Sequence, residues 1–209
     1  MLYFNSFPKV LTTDYNNNAL ILTNILRRVE IIPSLLNNPL LFYSYDIQEE
    51  DTPEIVANKY YGDSYRYWMV LLCNQIIDPQ WGWPLTTQQL DLYLVNKYRT
   101  AASSNNVLSY IQSTVQEYNK TITTTDSVTL NTTSTTIVVD YPTYLLTETG
   151  TISQSFGGAN GSISQTTTKS IVSIYEYEIK QNEAKRNINL IDKKYADDFE
   201  KQLSNLLGS

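Results

Sequence analysis

Histidine is absent from the 209 residues, and cysteine occurs once, at Cys73. The first absence removes Ser-His-Asp and Cys-His catalysis and every imidazole metal ligand. The second removes an internal disulfide. No apolar stretch reaches the roughly 18 residues of a membrane-spanning helix. No charged leader followed by an apolar run opens the chain, so neither a signal peptide nor a membrane partner is expected. Basic residues number 15 against 21 acidic ones, a net charge of −6 with no basic run, which disfavours nucleic acid as a partner. The acidic run Glu49-Glu50-Asp51 could suggest a glycosidase carboxylate pair. Acids at a helix N-terminus, where the macrodipole favours them, explain it more simply. No catalytic residue, cofactor or metal is therefore expected. Against these absences stand 42% hydrophobic residues, enough for a real core, and 17 Tyr with 3 Trp. Tyr and Trp pair apolar area with a polar tip, which suits interfaces.

Composition divides the chain into residues 1–40, 41–100, 101–168 and 169–209. In the first, Leu22, Ile25, Leu26 and Val29 recur at helical spacing, which predicts a helical arm over about 19–30. Arg27 and Arg28 fall off its apolar stripe, as solvated charges or as contacts to an acidic partner. The third is rich in Ser and Thr, with three acids and no basic residue from 121 to 168. Its β-branched clusters, such as Thr136-Ile137-Val138-Val139, predict β-hairpins in a peripheral insertion with a mobile Gly-rich tip at 157–161. A disordered, glycan-bearing stalk is the compositional alternative. In the fourth, Tyr175, Tyr177 and Ile179 alternate with charged residues and predict a strand. A polar turn over 182–186, a strand through Ile188 and Leu190, and a helix capped by Asp192 with Tyr195, Phe199, Leu203 and Leu206 on one face follow.

The second segment is the most legible. Phe42-Tyr43-Ser44-Tyr45-Asp46-Ile47 reads as a strand. Thr52 is a good N-cap with Pro53 at N1. Ile55, Val56, Lys59 and Tyr60 follow on a helix that Gly62 stops. Asp63 or Ser64 caps a second helix with Trp68, Leu71, Leu72 and Cys73, ended by Asn74. Asp78-Pro79-Gln80-Trp81-Gly82-Trp83-Pro84 reads as a rigid aromatic turn. Thr86 with Gln89 makes a capping box for a third helix carrying Leu90, Tyr93, Leu94 and Tyr98.

The marks Tyr45, Asp51, Thr52, Ile55, Ala57, Tyr60, Gly62, Trp68 and Asn74 resemble a LysM module, a family that generally binds N-acetylglucosamine polymers. Two departures stand out. The glycine usual before Asp-Thr is Glu50 here, and no short closing strand follows Asn74. A wider match, through Tyr67-Trp68-Met69-Val70-Leu71-Leu72-Cys73-Asn74, Asp78-Pro79, Trp81-Gly82-Trp83, the stretch from Leu22 to Arg28, and Tyr177-Glu178, Asn182-Glu183 and Lys185-Arg186, resembles the small LysM-bearing baseplate wedge subunits of T4-type contractile-tailed bacteriophages.

That resemblance implies an α+β structural protein. With the segment readings above, it gives a LysM-like βαα core, a helical N-terminal arm and a C-terminal strand-helix segment, with the β-rich Ser/Thr insertion over 101–168 lying outside the match. It implies a place in the virion tail baseplate after assembly in the host cytoplasm. It further implies several copies per particle, partners among wedge and hub-proximal proteins, and a role in joining wedges around the tail hub. The residues expected at subunit contacts are Arg27, Arg28, Trp81, Trp83, Tyr175, Tyr177, Glu183, Arg186 and Phe199, with both chain ends lying on neighbours. The rival expectation is a peptidoglycan-binding LysM module.

Overall fold

A computed structural model describes residues 6–27, 29–31, 36, 38–103, 106–156 and 161–208. The chain forms two compact units, one of residues up to Thr86 together with those from Glu183 onward, the other Thr87–Asn182. The class is α+β, as expected.

The first unit opens with an antiparallel hairpin, β1 (Lys9–Thr13) and β2 (Ala19–Thr23). This corrects the helical arm expected over 19–30. Asp14 folds the turn, its carboxylate accepting from the N–H groups of Asn16 and Asn18, both at 2.8 Å. Asn17 takes the left-handed conformation, φ 63°, that asparagine tolerates well. With that turn and a β-prone partner in Lys9–Thr13, the apolar run Ala19-Leu20-Ile21-Leu22-Thr23 pairs as a strand; tertiary pairing overrides the helical spacing. Arg28, the second cation expected on the arm, lies outside the described residues, as does most of the Gly-rich tip at 157–161.

Strand β3 (Phe42–Asp46) is followed by α1 (Pro53–Tyr61), a 3-10 turn (Ser64–Arg66), α2 (Tyr67–Cys73) and a one-turn helix α3 (Pro79–Gly82). Thr52 caps α1 through the Ile55 N–H, and Gly62 ends it in the left-handed region at φ 77°. Helix α2 closes in a Schellman motif, with the Ile76 N–H on the Leu71 carbonyl at 2.9 Å and the Gln75 N–H on that of Leu72 at 3.2 Å. The residue in the left-handed position is Gln75, φ 55°.

The chain returns to this unit as β8 (Asn187–Ile191) and α8 (Lys193–Gly208). Strands β3 and β8 pair antiparallel, with Tyr45 opposite Ile188 and Phe42 opposite Ile191. One apolar cluster joins Ile47, Val56, Ala57, Val70, Trp83, Ile188 and Leu190. A second joins Trp68, Met69, Cys73 and Ile191 to Ala196, Leu203 and Leu207 of α8, with Phe7 and Ile31 from either side of the hairpin. Arg66 pairs with Asp197 and Glu200 of α8, the latter at 3.1 Å. The C-terminal helix is thus packed in its own chain, which corrects the expectation that it lies on a neighbour.

The second unit comprises α4 (Thr87–Ala102), α5 (Val107–Ser113), strands β4 (Val115–Asp126), β5 (Thr132–Val139), β6 (Gly150–Phe156) and β7 (Gly161–Ser173), and helices α6 (Tyr141–Leu146) and α7 (Ile174–Glu183). Helices α4 and α5 pack together and bury Leu90, Leu94, Val107 and Ile111. The sheet runs β5-β4-β7-β6, antiparallel throughout. One face is a lattice of hydroxyls, bonded across strands at Thr121–Thr136 (2.9 Å), Thr123–Ser134 (3.2 Å), Thr125–Thr132 (3.3 Å) and Thr151–Thr166 (2.9 Å). On the opposite face Tyr118 packs against Tyr141 and Tyr144 of α6, centroids 5.2 and 4.9 Å apart. Since β7 is an interior strand, residues 161–166 are a working part of the sheet and not a peripheral appendage.

Residues 174–183 form a helix where Tyr175-Glu176-Tyr177 alternation predicted a strand. Ser173 and Glu176 make a capping box: the Ser173 N–H donates to the Glu176 carboxylate at 2.8 Å, and the Glu176 N–H to the Ser173 hydroxyl at 3.2 Å. Tyr98 and Lys97 of α4 both donate to Glu178 at 2.6 Å, holding the helix in this register.

Glu50 adopts φ 69° and is the residue that stands where the LysM pattern has glycine. A side chain costs about 1–2 kcal/mol in that region, and glycine's extra unfolded-state freedom offsets part of the relief. Glu50→Gly is expected to stabilise the chain by somewhat less than about 1 kcal/mol. Gly62→Ala is expected to cost about 1–2 kcal/mol for the same reason. Urea midpoints of the two variants check both signs.

Candidate functional site

The Asp51 loop joins β3 to α1 and knits the middle of the first unit. The Asp51 carboxylate accepts from the Tyr45 hydroxyl at 2.9 Å, the Gln48 N–H at 3.1 Å and the Lys59 ammonium at 2.6 Å. Its carbonyl accepts the Trp83 indole N–H at 2.7 Å. Burial pushes the carboxyl pKa up, and the bonds from Lys59, Gln48 and Tyr45 outweigh it, so the value lies below the ordinary one. Among the LysM-like marks, Ala57 and Trp68 are core residues, Tyr60 is half-buried and Ile55 is exposed.

Asn74 does more than end α2. Its amide nitrogen donates to the carbonyls of Val70 (2.7 Å) and Asn189 (2.8 Å), and its oxygen accepts the Asn189 N–H at 2.8 Å. One side chain thereby serves the flank of β8 as a backbone would, across 115 residues of sequence. Arg186 holds the other end of the pairing. Its guanidinium reaches Glu183 at 2.7 Å, Glu49 at 2.8 Å and the Ile47 carbonyl at 3.3 Å. The Ile47 N–H returns to the Arg186 carbonyl at 2.9 Å. Cys73 is buried, and burial pushes its thiol pKa up to about 12, far from a reactive thiolate.

The residues expected at subunit contacts fall into two sets. Trp83 is buried beneath Asp51 and Phe199 stacks on Trp68 with centroids 6.1 Å apart, so neither stands open; both apolar rings are used inside the chain. Glu183 and Arg186 are paired with each other. Tyr175 is half-buried with its hydroxyl on Asp91 at 3.0 Å, and Tyr177, two residues on in α7, is also half-buried. Trp81 is 53% exposed, with its carbonyl accepting Lys185 at 2.8 Å. Arg27 is half-exposed at the base of the hairpin. Around it the structure exposes aliphatic residues that the helical reading had assigned to a packed stripe or passed over: Val10, Leu11, Leu20, Ile21, Leu22, Ile25 and Leu26. The signal for them was present, as two five-residue β-prone runs flanking an Asp-Asn turn.

The low pKa of Asp51 makes its contribution pH-dependent. A carboxyl depressed in the folded state stabilises above its unfolded pKa, about 4, and loses that contribution as pH falls through the folded value. Asp51→Asn is expected to cost about 2 kcal/mol at neutral pH, because it weakens three hydrogen bonds to a buried acceptor. The gap from the parent should narrow below about pH 4. Urea unfolding of both proteins across that range measures it; a gap that stays constant into strong acid contradicts the assignment.

Comparison with known proteins matches residues 3–207 to the family described as base plate wedge protein 53. Among curated proteins, baseplate wedge protein gp53 of Enterobacteria phage T4 is 23% identical over 164 residues, which cover 78% of this chain and 72% of that protein. With the match running through both units, the chain belongs to the base plate wedge protein 53 family.

Proposed function

We propose that this structural component of a phage tail baseplate wedge works by holding neighbouring subunits together, and that its contacts help join wedges around the tail hub. The observation that carries this reading is the family match over nearly the whole chain, taken with the aliphatic hairpin and Trp81 exposed on the first unit. Contiguous apolar surface of this kind marks interaction sites in soluble proteins. Of the residues expected at contacts, Trp81, Arg27, Tyr175 and Tyr177 keep that role. Arg186 and Glu183 act through the loop they brace. Other wedge and hub-proximal proteins are the partners, met in the host cytoplasm during assembly.

The β3–α1–α2 segment serves as a LysM-like scaffold in this reading. Support comes from β8, which pairs with β3 and supplies the closing strand that is missing after Asn74. The Asp51 carboxylate and carbonyl are engaged inside the chain, and Glu50 replaces the usual glycine. Glycan recognition is accordingly not assigned to it.

Three outcomes are expected. Trp81→Ala should leave thermal unfolding within about 1 kcal/mol of the parent, as for an exposed side chain. It should also lower co-purification with co-expressed wedge proteins of the same phage several-fold. Calorimetric titration with N-acetylglucosamine oligomers should show no saturable heat. Micromolar binding would restore the peptidoglycan reading, and undiminished assembly of the Trp81 variant would remove that residue from the interface.

A further inference from the structure

The hairpin β1–β2 is apolar on both faces. Register and strand alternation place Val10, Leu20 and Leu22 on one face and Leu11 and Ile21 on the other. Val10 and Leu22, directly paired, are 45% and 53% exposed; Leu11 and Ile21, also paired, are 71% and 72% exposed. A surface hairpin ordinarily buries one face and solvates the other. A two-stranded ribbon with aliphatic side chains on both sides gains little from either in water. Its base, by contrast, is fixed, since Phe7 before it and Ile31 after it are buried in the core of the first unit.

We infer that the hairpin is an insertion arm that enters a cleft with two apolar walls on a neighbouring baseplate protein and buries both faces at once. The inference rests on the assembly role proposed above and specifies its geometry. The occupant is a different protein and not a second copy. Two hairpins stacked face to face would each leave one aliphatic face in water, and two paired edge to edge would leave both. Charge defines the mouth of the cleft. The two strands carry a single charged residue, Lys9, on the Leu11 face, with its ammonium on the Thr23 hydroxyl at 2.7 Å. Burial of that face places a cation in a dry site, which needs a carboxylate opposite. The fitting partner therefore has two aliphatic or aromatic walls and an acidic mouth. At the tip the Asp14 carboxylate accepts hydrogen bonds from Asn16 and Asn18, so its oxygens are engaged within the turn.

The test compares the two faces. Val10→Thr with Leu22→Thr removes apolarity from one, and Leu11→Thr with Ile21→Thr from the other. Threonine keeps β-propensity, so the ribbon itself is preserved. Each full-length double variant is co-expressed with the other baseplate wedge proteins of the same phage, and the recovered complex is quantified. Each pair alone is expected to lower recovery at least tenfold, with the thermal midpoint of the free chain unchanged. If one pair lowers recovery and the other leaves it within twofold, the arm docks by a single face and the insertion geometry is wrong, while the assembly role stands. If neither pair matters although the parent assembles, the hairpin is no interface. If the parent itself joins no wedge protein, the assembly role falls and this inference with it. Self-association of the free chain that either pair abolishes would make the occupant a second copy and overturn the assignment.

Discussion

Strands β3 and β8 lie far apart in the sequence and side by side in the fold, and the first unit depends on their pairing. Neither strand could stand alone, since a two-stranded ribbon is marginal in water. The pair is completed by what surrounds it. Helices α1 and α2 cover it with Val56, Ala57 and Val70, the Asn74 amide supplies hydrogen bonds along one flank, and Arg186 ties the loop at its end to Glu49 and Ile47. The Asp51 loop then fixes where α1 begins, and Trp83 docks on the Asp51 carbonyl.

The unit combines local signals that sequence reading handles well with distant ones that it does not. Thr52, Pro53 and Gly62 were legible because a cap, an N1 proline and a left-handed stop each act within one turn of helix. Trp68 and Cys73 were legible as helix residues, and α8 as one apolar face. The role of Asn74 was hidden, because its partner at Asn189 is remote and nothing near Asn74 announces it. Trp83 and Phe199 look like interface aromatics when only their neighbours in sequence are considered. Their burial depends on Asp51 and Trp68, which the fold brings to them.

The two misread elements teach different lessons. At 19–30 the helical spacing of Leu22, Ile25, Leu26 and Val29 was real but weaker than strand pairing with Lys9–Thr13. At 174–183 the alternation of Tyr175, Tyr177 and Ile179 fits a strand, yet Ser173 and Glu176 spell a capping box at its start. Short segments of about ten residues satisfy both periods easily, so the start signal is the better arbiter. In the Ser/Thr-rich stretch the hairpins were legible, whereas its organisation into a four-stranded sheet was not. That sheet holds polar hydroxyls in cross-strand register on one face and uses Tyr118 and α6 to cover part of the other.

The separation of β3 from β8 also sets an order of events during synthesis. The ribosome releases Phe42–Asp46 long before it makes Asn187–Ile191, and the whole of Thr87–Asn182 emerges between them. Contacts within that intervening stretch are available as soon as it clears the exit tunnel. Closure of the first unit must wait for the last residues and bear the loop entropy of a distant pairing. Until then the apolar residues that β8 and α8 cover, such as Val56, Val70, Trp68 and Met69, and the unpaired edge of β3 are in water, the state in which nascent chains aggregate. A chain cut short before residue 187 cannot form the β3–β8 pair, so truncated products lack the first unit's fold and do not merely lose its tail.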